Sequence, residues 1–182
     1  MIEFIYGGSG SGKSSFAEDE IMKIKDSQKF YIATMKALDE ESERKILRHR
    51  EMRKNKNFIT IEQSQDLNKA CKFICDSQKI NPRKKNSVLL ECVSNLLANE
   101  MFKNGKQLNA KTVVKKILND LEKIILCTDN FFIVSNNIFD DGIEYSHSTK
   151  NYMLALSKIN SYLAKRADNV FELVVGIPQK LK

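Results

Sequence analysis

The stretch Ile2-Glu3-Phe4-Ile5-Tyr6-Gly7-Gly8-Ser9-Gly10-Ser11-Gly12-Lys13-Ser14 lies at the start of the chain and decides the fold. An apolar run of strand length comes first, a glycine-rich loop follows it, and the loop ends in Gly-Lys-Ser. This order matches the phosphate-binding loop, in which backbone N–H groups surround phosphate oxygens, the lysine reaches the β- and γ-phosphates, and the serine hydroxyl binds Mg²⁺. The predicted nucleotide-binding residues here are Gly7, Gly8, Ser9, Gly10, Ser11, Gly12, Lys13 and Ser14.

A flexible glycine- and serine-rich linker is the alternative interpretation of this stretch. A linker needs neither the preceding apolar strand nor the Gly-Lys-Ser ending, and both are present. The helix that we expect to begin near Lys13 also directs its positive N-terminal end at the same anion. We therefore favour the phosphate-binding interpretation.

Composition and charge indicate one domain without a nucleic-acid partner. The chain has 182 residues, of which 42% are hydrophobic, and this length and content predict a single domain over residues 1–182. The net charge is +7 and the pI about 9.2, but the basic residues are spread among acids, without the basic stripe and interleaved aromatics typical of nucleic-acid binding. The run Arg83-Lys84-Lys85 is the main alternative. An anionic substrate explains part of the positive charge equally well.

The cysteines and the apolar runs predict a soluble cytoplasmic protein. Only Cys71 and Cys75 are close in sequence, at i, i+4 spacing, which is neither a Cys-x-x-Cys nor a zinc pattern. We expect buried, reduced thiols at these positions and at Cys92 and Cys127. No apolar run approaches the ~18 residues of a membrane span, and the strand that contains Glu3 argues against a signal peptide.

Strand-length apolar runs alternate with segments of helical periodicity along the chain. This alternation is typical of a parallel sheet covered by helices on both faces. With the phosphate-binding loop, it predicts an α/β, P-loop NTPase-like (RecA-like) fold with a mostly parallel sheet. The predicted strands cover 2–6, 30–33, 58–61, 88–90, 131–134 and 170–175, and the predicted helices cover 13–25, 40 onward, 66–79, 112–126 and 148–167.

Glu91 ends the apolar run Val88-Leu89-Leu90 and is the candidate second ligand for Mg²⁺, together with Ser14. The carboxyl ends of parallel strands face the nucleotide, and we expect the strand of Glu91 to lie beside the first strand. An acid in an exposed turn after the strand is the alternative.

His49 is one of two histidines and lies on a helix that we expect to begin after the N-cap residue Asp39. Lys45, His49 and Arg53 share one electropositive face of this helix. A solvated side chain is the ordinary interpretation of such a histidine. The neighbouring cations nevertheless favour the neutral imidazole, the form that can attack a phosphorus atom.

Taken together, these motifs resemble the bifunctional adenosylcobinamide kinase / adenosylcobinamide-phosphate guanylyltransferase family of cobalamin biosynthesis. The match runs in order along nearly the whole chain. Its pieces are residues 7–14, Tyr31-Ile32-Ala33-Thr34, Leu38-Asp39-Glu40, Ile46-Leu47-Arg48-His49-Arg50, Arg53, Glu62, Leu89-Leu90-Glu91-Cys92-Val93, Val134-Ser135-Asn136, and Val174-Val175-Gly176-Ile177-Pro178 with Leu181-Lys182.

The resemblance implies two reactions on one polypeptide. A nucleoside triphosphate, ATP or GTP, phosphorylates the hydroxyl of the corrinoid adenosylcobinamide with the help of Mg²⁺. His49 then attacks the α-phosphorus of GTP, and the GMP–histidine intermediate passes GMP to adenosylcobinamide phosphate. It also implies a homotrimer. The positions that match the GTP-contacting residues of the family are Ala33, Thr34, Met35, Arg50, Glu51, Met52, Arg53, Glu62 and Glu91.

The chain departs from the family pattern after the strand at 131–134. An acid of the family is replaced by the amide Asn137, and a Phe-Arg-Asp triplet is replaced by Tyr152-Met153-Leu154. A P-loop protein with a diverged substrate or lost catalysis is therefore the alternative function. We expect His147 to lie near a helix cap rather than in catalysis, and Asp140 and Asp141 to form a turn rather than to replace the lost carboxylate.

Overall fold

The computed structural model describes residues 1–103, 105–139 and 142–182. The strands are β1 (Ile2–Gly7), β2 (Ser27–Ala33), β3 (Ile59–Glu62), β4 (Lys85–Glu91), β5 (Phe102–Lys103), β6 (Lys106–Gln107), β7 (Asn130–Asn136), β8 (Asn169–Val174) and β9 (Ile177–Lys180). The helices are α1 (Lys13–Met22), α2 (Glu40–Arg53), α3 (Leu67–Ile80), α4 (Val93–Met101), α5 (Ala110–Leu126) and α6 (His147–Arg166).

The main sheet has the strand order β3-β2-β4-β7-β1-β8-β9. The six strands from β3 to β8 are parallel to their neighbours, and β9 pairs antiparallel with β8. The mostly parallel sheet is thus confirmed. The run predicted over 170–175 ends at Val174, because Val175 and Gly176 have φ values of 50° and 81° and turn the chain into β9.

Helices cover both faces of the sheet, as the alternation predicts. Side chains that alternate along a strand point to opposite faces, so Phe4 packs in the cluster under α3, α4, α5 and α6, whereas Ile5 packs against Ala17 and Ile21 of α1. Both faces of the central strands are therefore buried, which explains their continuous apolar sequences.

Local signals place the helix ends well. The Asp39 carboxylate accepts a hydrogen bond from the Ser42 backbone N–H at 2.8 Å, and Ser42 completes a capping box. Helix α5 begins at Ala110, two residues before the predicted start, because Asn109 is its N-cap. Helix α4 is absent from the sequence prediction, as are the short strands β5 and β6, which pair antiparallel after it.

The prediction of reduced thiols is wrong for two of the four cysteines. Cys75 and Cys127 form a disulfide, while Cys71 and Cys92 are free and buried. The two bonded residues are 52 positions apart, so their contact arises from the packing of α3 beside the end of α5 and leaves no signal in the spacing. Among the described residues, none of the helices combines the length and apolarity needed to cross a bilayer.

Candidate active site

The phosphate-binding loop connects β1 to α1 and is held in place by glycines. Gly10 and Gly12 have φ values of 72° and 87°, which L side chains rarely adopt. Gly7 is needed for a different reason, since a Cβ there would lie 2.6 Å from the carbonyl oxygen of Leu173 in β8. The loop is therefore packed directly against the neighbouring strand.

Lys13 folds back along this loop. Its Nζ donates a hydrogen bond to the carbonyl oxygen of Gly8 at 2.8 Å, and the side chain is buried. Burial lowers the pKa of Lys13, and the nearby Glu91 acts in the opposite direction. The ammonium group is thus placed where a phosphate can replace the carbonyl as its partner.

Ser14 and Glu91 are in direct contact at the carboxyl edge of the sheet. The Ser14 hydroxyl donates to Glu91 Oε1, and the Tyr31 hydroxyl donates to Oε2 at 2.7 Å. Glu91 is therefore fixed over α1 rather than free in a turn. The expectation that β4 lies beside β1 is wrong, because β7 lies between them. The two oxygens are nevertheless adjacent and are of the type that Mg²⁺ prefers.

His49 points inward from α2 toward this carboxylate. One ligand atom from each of Glu18, His49 and Glu91 can be chosen so that all three lie within 4.8 Å of one another. Within the described part of the chain, His49 Nδ1 and Glu18 Oε1 are buried and have no hydrogen-bond partner. His49 is partly buried rather than fully solvated. The structure thus brings the histidine and the magnesium candidates into one cluster.

Two arginines attach the C-terminal end of α2 to the rest of the molecule. Arg53 is only 7% exposed, and its guanidinium carbon lies 3.9 Å from the centre of the Tyr31 ring, a cation–π contact. Arg50 makes a more exposed ion pair with Glu62, with 3.2 Å between Nη2 and Oε1. These contacts attach the end of α2 to the sheet edge formed by β2 and β3.

A narrow cavity of about 30 Å³ lies between α2 and the carboxyl ends of β2 and β4. Binding cavities for small molecules usually measure about 300–1,000 Å³, so a nucleoside cannot enter unless α2 or its neighbouring loops move. Six of the predicted site residues line this cavity beside Tyr31, Ile46 and Asn95, namely Ala33, Met35, His49, Arg53, Glu62 and Glu91.

Four predicted contact residues do not line this cavity, namely Thr34, Glu51, Met52 and Arg50, the partner of Glu62. Thr34 is fully buried and its hydroxyl oxygen accepts a hydrogen bond from the Cys92 backbone N–H at 2.8 Å, which joins β2 to β4. Glu51 is exposed and pairs with Lys54, and Met52 does not line the cavity.

Comparison with known proteins decides the family. The family described as cobinamide kinase / cobinamide phosphate guanyltransferase matches residues 3–181. The chain belongs to this family. It aligns over its full length with the full length of two bifunctional adenosylcobalamin biosynthesis proteins CobU, at 29% identity for Escherichia coli (strain K12) and 25% for Salmonella typhimurium (strain LT2). Its family is thus one of bifunctional kinases and guanylyltransferases.

Solved structures support the fold prediction independently. A KaiC-like protein from Pyrococcus horikoshii OT3 superimposes with a TM-score of 0.54 at 10% identity, covering 94% of this chain and 71% of that one. At so low an identity, the structural likeness carries information about the fold alone. This likeness confirms the P-loop, RecA-like architecture.

The sequence prediction did not include two residues of the site in this family member, Glu18 and Lys56. Glu18 is completely buried and its Oε2 lies 2.9 Å from Lys56 Nζ. Burial raises the pKa of Glu18, and the hydrogen bond from Lys56 partly offsets this. Glu18 follows Ser14 by four positions, so both lie on one face of α1; that spacing is the signal that could have identified it.

The divergent region of this family member is ordered by hydrogen bonds. His147 begins α6 beside its N-cap Ser146, as expected. The Tyr152 hydroxyl donates to the carbonyl oxygen of Ser94 at 3.1 Å, and Asn160 Oδ1 accepts from the Ser135 hydroxyl at 2.7 Å. The predicted turn residues Asp140 and Asp141 lie outside the described residues.

Proposed function

We propose that this chain phosphorylates adenosylcobinamide and then transfers GMP from GTP to adenosylcobinamide phosphate through a GMP–histidine intermediate on His49. The observation that carries the proposal is the cluster of Glu18, His49 and Glu91, in which Glu91 also contacts Ser14 of the phosphate-binding loop. A nucleotide held by the loop would thus have its phosphates beside an inward-facing imidazole.

In the kinase step, the loop and Lys13 hold the β- and γ-phosphates of ATP or GTP. Ser14 and Glu91 would hold Mg²⁺, which neutralises charge on the phosphate oxygens when it is bound. The substrate hydroxyl oxygen attacks the γ-phosphorus, its proton passes to solvent or a base, and the nucleoside diphosphate leaves. Positioning and charge neutralisation provide the catalysis.

In the guanylyltransferase step, an unprotonated ring nitrogen of His49 attacks the α-phosphorus of GTP. A P–N bond forms, the P–O bond to the β-phosphate breaks, and pyrophosphate leaves. A phosphate oxygen of adenosylcobinamide phosphate then attacks the same phosphorus, which forms the P–O–P link and releases the imidazole. Covalent catalysis of this kind divides one difficult transfer into two easier steps.

Labelling tests the nucleophile directly. The purified protein is incubated with GTP labelled at the α-phosphate and Mg²⁺, and we expect an acid-labile, base-stable label. His49→Ala is expected to abolish the label and the guanylyl transfer and to leave phosphorylation of adenosylcobinamide intact. His147→Ala, on the exposed start of α6, is the matched control and should label normally. A label of normal intensity on the His49 variant would show that the nucleophile is misassigned.

The substitutions at Asn137 and at residues 152–154 favour a second candidate, an enzyme with the same nucleotide chemistry and a diverged acceptor. A labelled protein that does not pass GMP to adenosylcobinamide phosphate would favour it, and a chain that binds GTP without label or turnover would favour a regulatory nucleotide-binding role. From the family resemblance we also infer a cytoplasmic homotrimer, which the molar mass in light scattering would test.

A further inference from the structure

Three cysteine side chains meet at the edge of the sheet opposite the phosphate-binding loop. Cys71 and Cys75 lie one turn apart on α3, and Cys127 caps the C-terminus of α5. Cys71 Sγ lies 3.8 Å from Cys75 Sγ and 3.9 Å from Cys127 Sγ. The Cys75–Cys127 disulfide closes the third side of this triangle.

Two sides of the triangle already have the length that a tetrahedral metal site requires. A zinc–thiolate bond is about 2.3 Å long, so two sulfurs on one tetrahedral ion lie about 1.6 times that distance apart, at about 3.8 Å. Cys71 has this separation from both other sulfurs. The third side is the Cys75–Cys127 disulfide, which reduction would open.

We propose that the reduced chain binds a thiophilic divalent cation, with Zn²⁺ as its reference, through the thiolates of Cys71, Cys75 and Cys127. A dithiol reductant supplies two electrons and two protons to the disulfide and becomes a disulfide itself. The cation then displaces one proton from each of the three thiols and forms three metal–sulfur bonds. The disulfide-bonded chain is the form that cannot bind the ion.

The surroundings of the triangle suit a cation with one open position. An open hollow of about 310 Å³ borders Cys75 and Cys127 and is lined also by Gln78, Thr128 and Asp129. Among the described residues, the group of ligand atoms within 4.8 Å of one another holds only the three cysteines and not Asp129, so a water from the hollow would be the fourth ligand. One buried and two partly buried soft sulfur ligands, with one position open to solvent, match zinc and its substitute Co²⁺.

The experiment uses the full chain, reduced with a dithiol and desalted without oxygen. Co²⁺ is added, and we expect thiolate-to-cobalt charge transfer in the near ultraviolet and strong visible bands of a tetrahedral ion, saturating at one ion per chain and removed by Zn²⁺. The oxidised chain should show neither. Loss of one cysteine ligand should weaken Co²⁺ binding by more than ~10–100-fold, which is the usual cost of losing a residue that only hydrogen-bonds to a metal ligand.

Cys71→Ser is the decisive variant, because it leaves the two bonded cysteines in place. Cys92→Ser is the matched control, since Cys92 is also free and buried but lies at the start of α4, beside Ser94. Circular dichroism of each reduced chain checks that it is folded. Equal Co²⁺ binding by folded Cys71→Ser, or no charge transfer in the reduced parent chain, would overturn the proposal. A disulfide mapped to Cys71 after cobalt addition would overturn it too, because a free Cys71 thiolate is required.

Discussion

Replacing Lys56 by methionine is expected to destabilise the fold by about 2–3 kcal/mol at pH 7. Lys56 Nζ lies 2.9 Å from Oε2 of Glu18, a carboxylate with 0% of its side chain exposed. Removal of one partner from a buried pair costs about 3–5 kcal/mol, because the other charge is left uncompensated. We expect a value at or just below the lower end of that range, since Lys56 is 23% exposed and Glu18 can escape part of the cost by taking up a proton.

The expected loss depends on pH with a definite sign. Burial already raises the pKa of Glu18 above its ordinary value of 4.5, and Lys56 counteracts that rise. Without Lys56, the pKa of Glu18 in the folded chain rises further. The folded variant therefore holds a proton on Glu18 up to a higher pH than the folded parent does. The stability of the variant should therefore fall, relative to the parent, as the pH rises from the pKa of Glu18 in the parent, itself above 4.5, to the higher pKa of Glu18 in the variant.

Urea denaturation at several pH values measures this effect, and two further variants make the test sharp. Lys54→Met carries the same substitution two residues away, where Lys54 pairs with Glu51 and both side chains are exposed. It should cost less than about 1 kcal/mol. Glu18→Gln in the Lys56→Met background should recover much of the loss. Equal losses for the two methionine variants would refute the reasoning about a buried charge.

Further substitutions test the phosphate-binding loop and the contacts of α2. Gly7→Ala places a Cβ against a backbone carbonyl at 2.6 Å and should abolish nucleotide binding in equilibrium dialysis. Lys13→Ala should impair both phosphorylation and self-guanylylation in product assays, because each reaction uses a triphosphate that the same loop holds. Arg53→Ala should lower the free energy of unfolding by about 1–2 kcal/mol through loss of its contact with an aromatic ring; Arg50→Ala, in an exposed pair, should change it by less than about 1 kcal/mol.

Features encoded by consecutive residues were predictable from the sequence. The phosphate-binding loop needs only a strand, glycines and Gly-Lys-Ser in order, and the start of α2 needs only Asp39 and its capping partner. The inward position of Glu91 was predictable in outline, since the end of a buried parallel strand faces the ligand edge. Its strand, however, lies one place farther from β1 than expected, because β7 inserts between them.

Features made by packing were not predictable in this way. The partner of Glu18 is 38 residues away in sequence, and the partner of Cys75 is 52 residues away. Neither contact has a spacing that repeats or a motif that marks it. Helix α4 was missed for another reason: its nine residues form only about two and a half turns, too short a segment to show a clear helical period.

The contacts of α2 indicate how a cavity of about 30 Å³ can admit a nucleotide. Arg53, at the C-terminal end of the helix, is buried against Tyr31, whereas the Arg50–Glu62 pair is half exposed and worth at most about 1 kcal/mol. The exposed pair can therefore break at little cost while the buried contact holds. When a nucleotide enters, we expect α2 to swing about its C-terminal end, so that His49, one turn from Arg53, moves less than Glu40 at the other end of the helix.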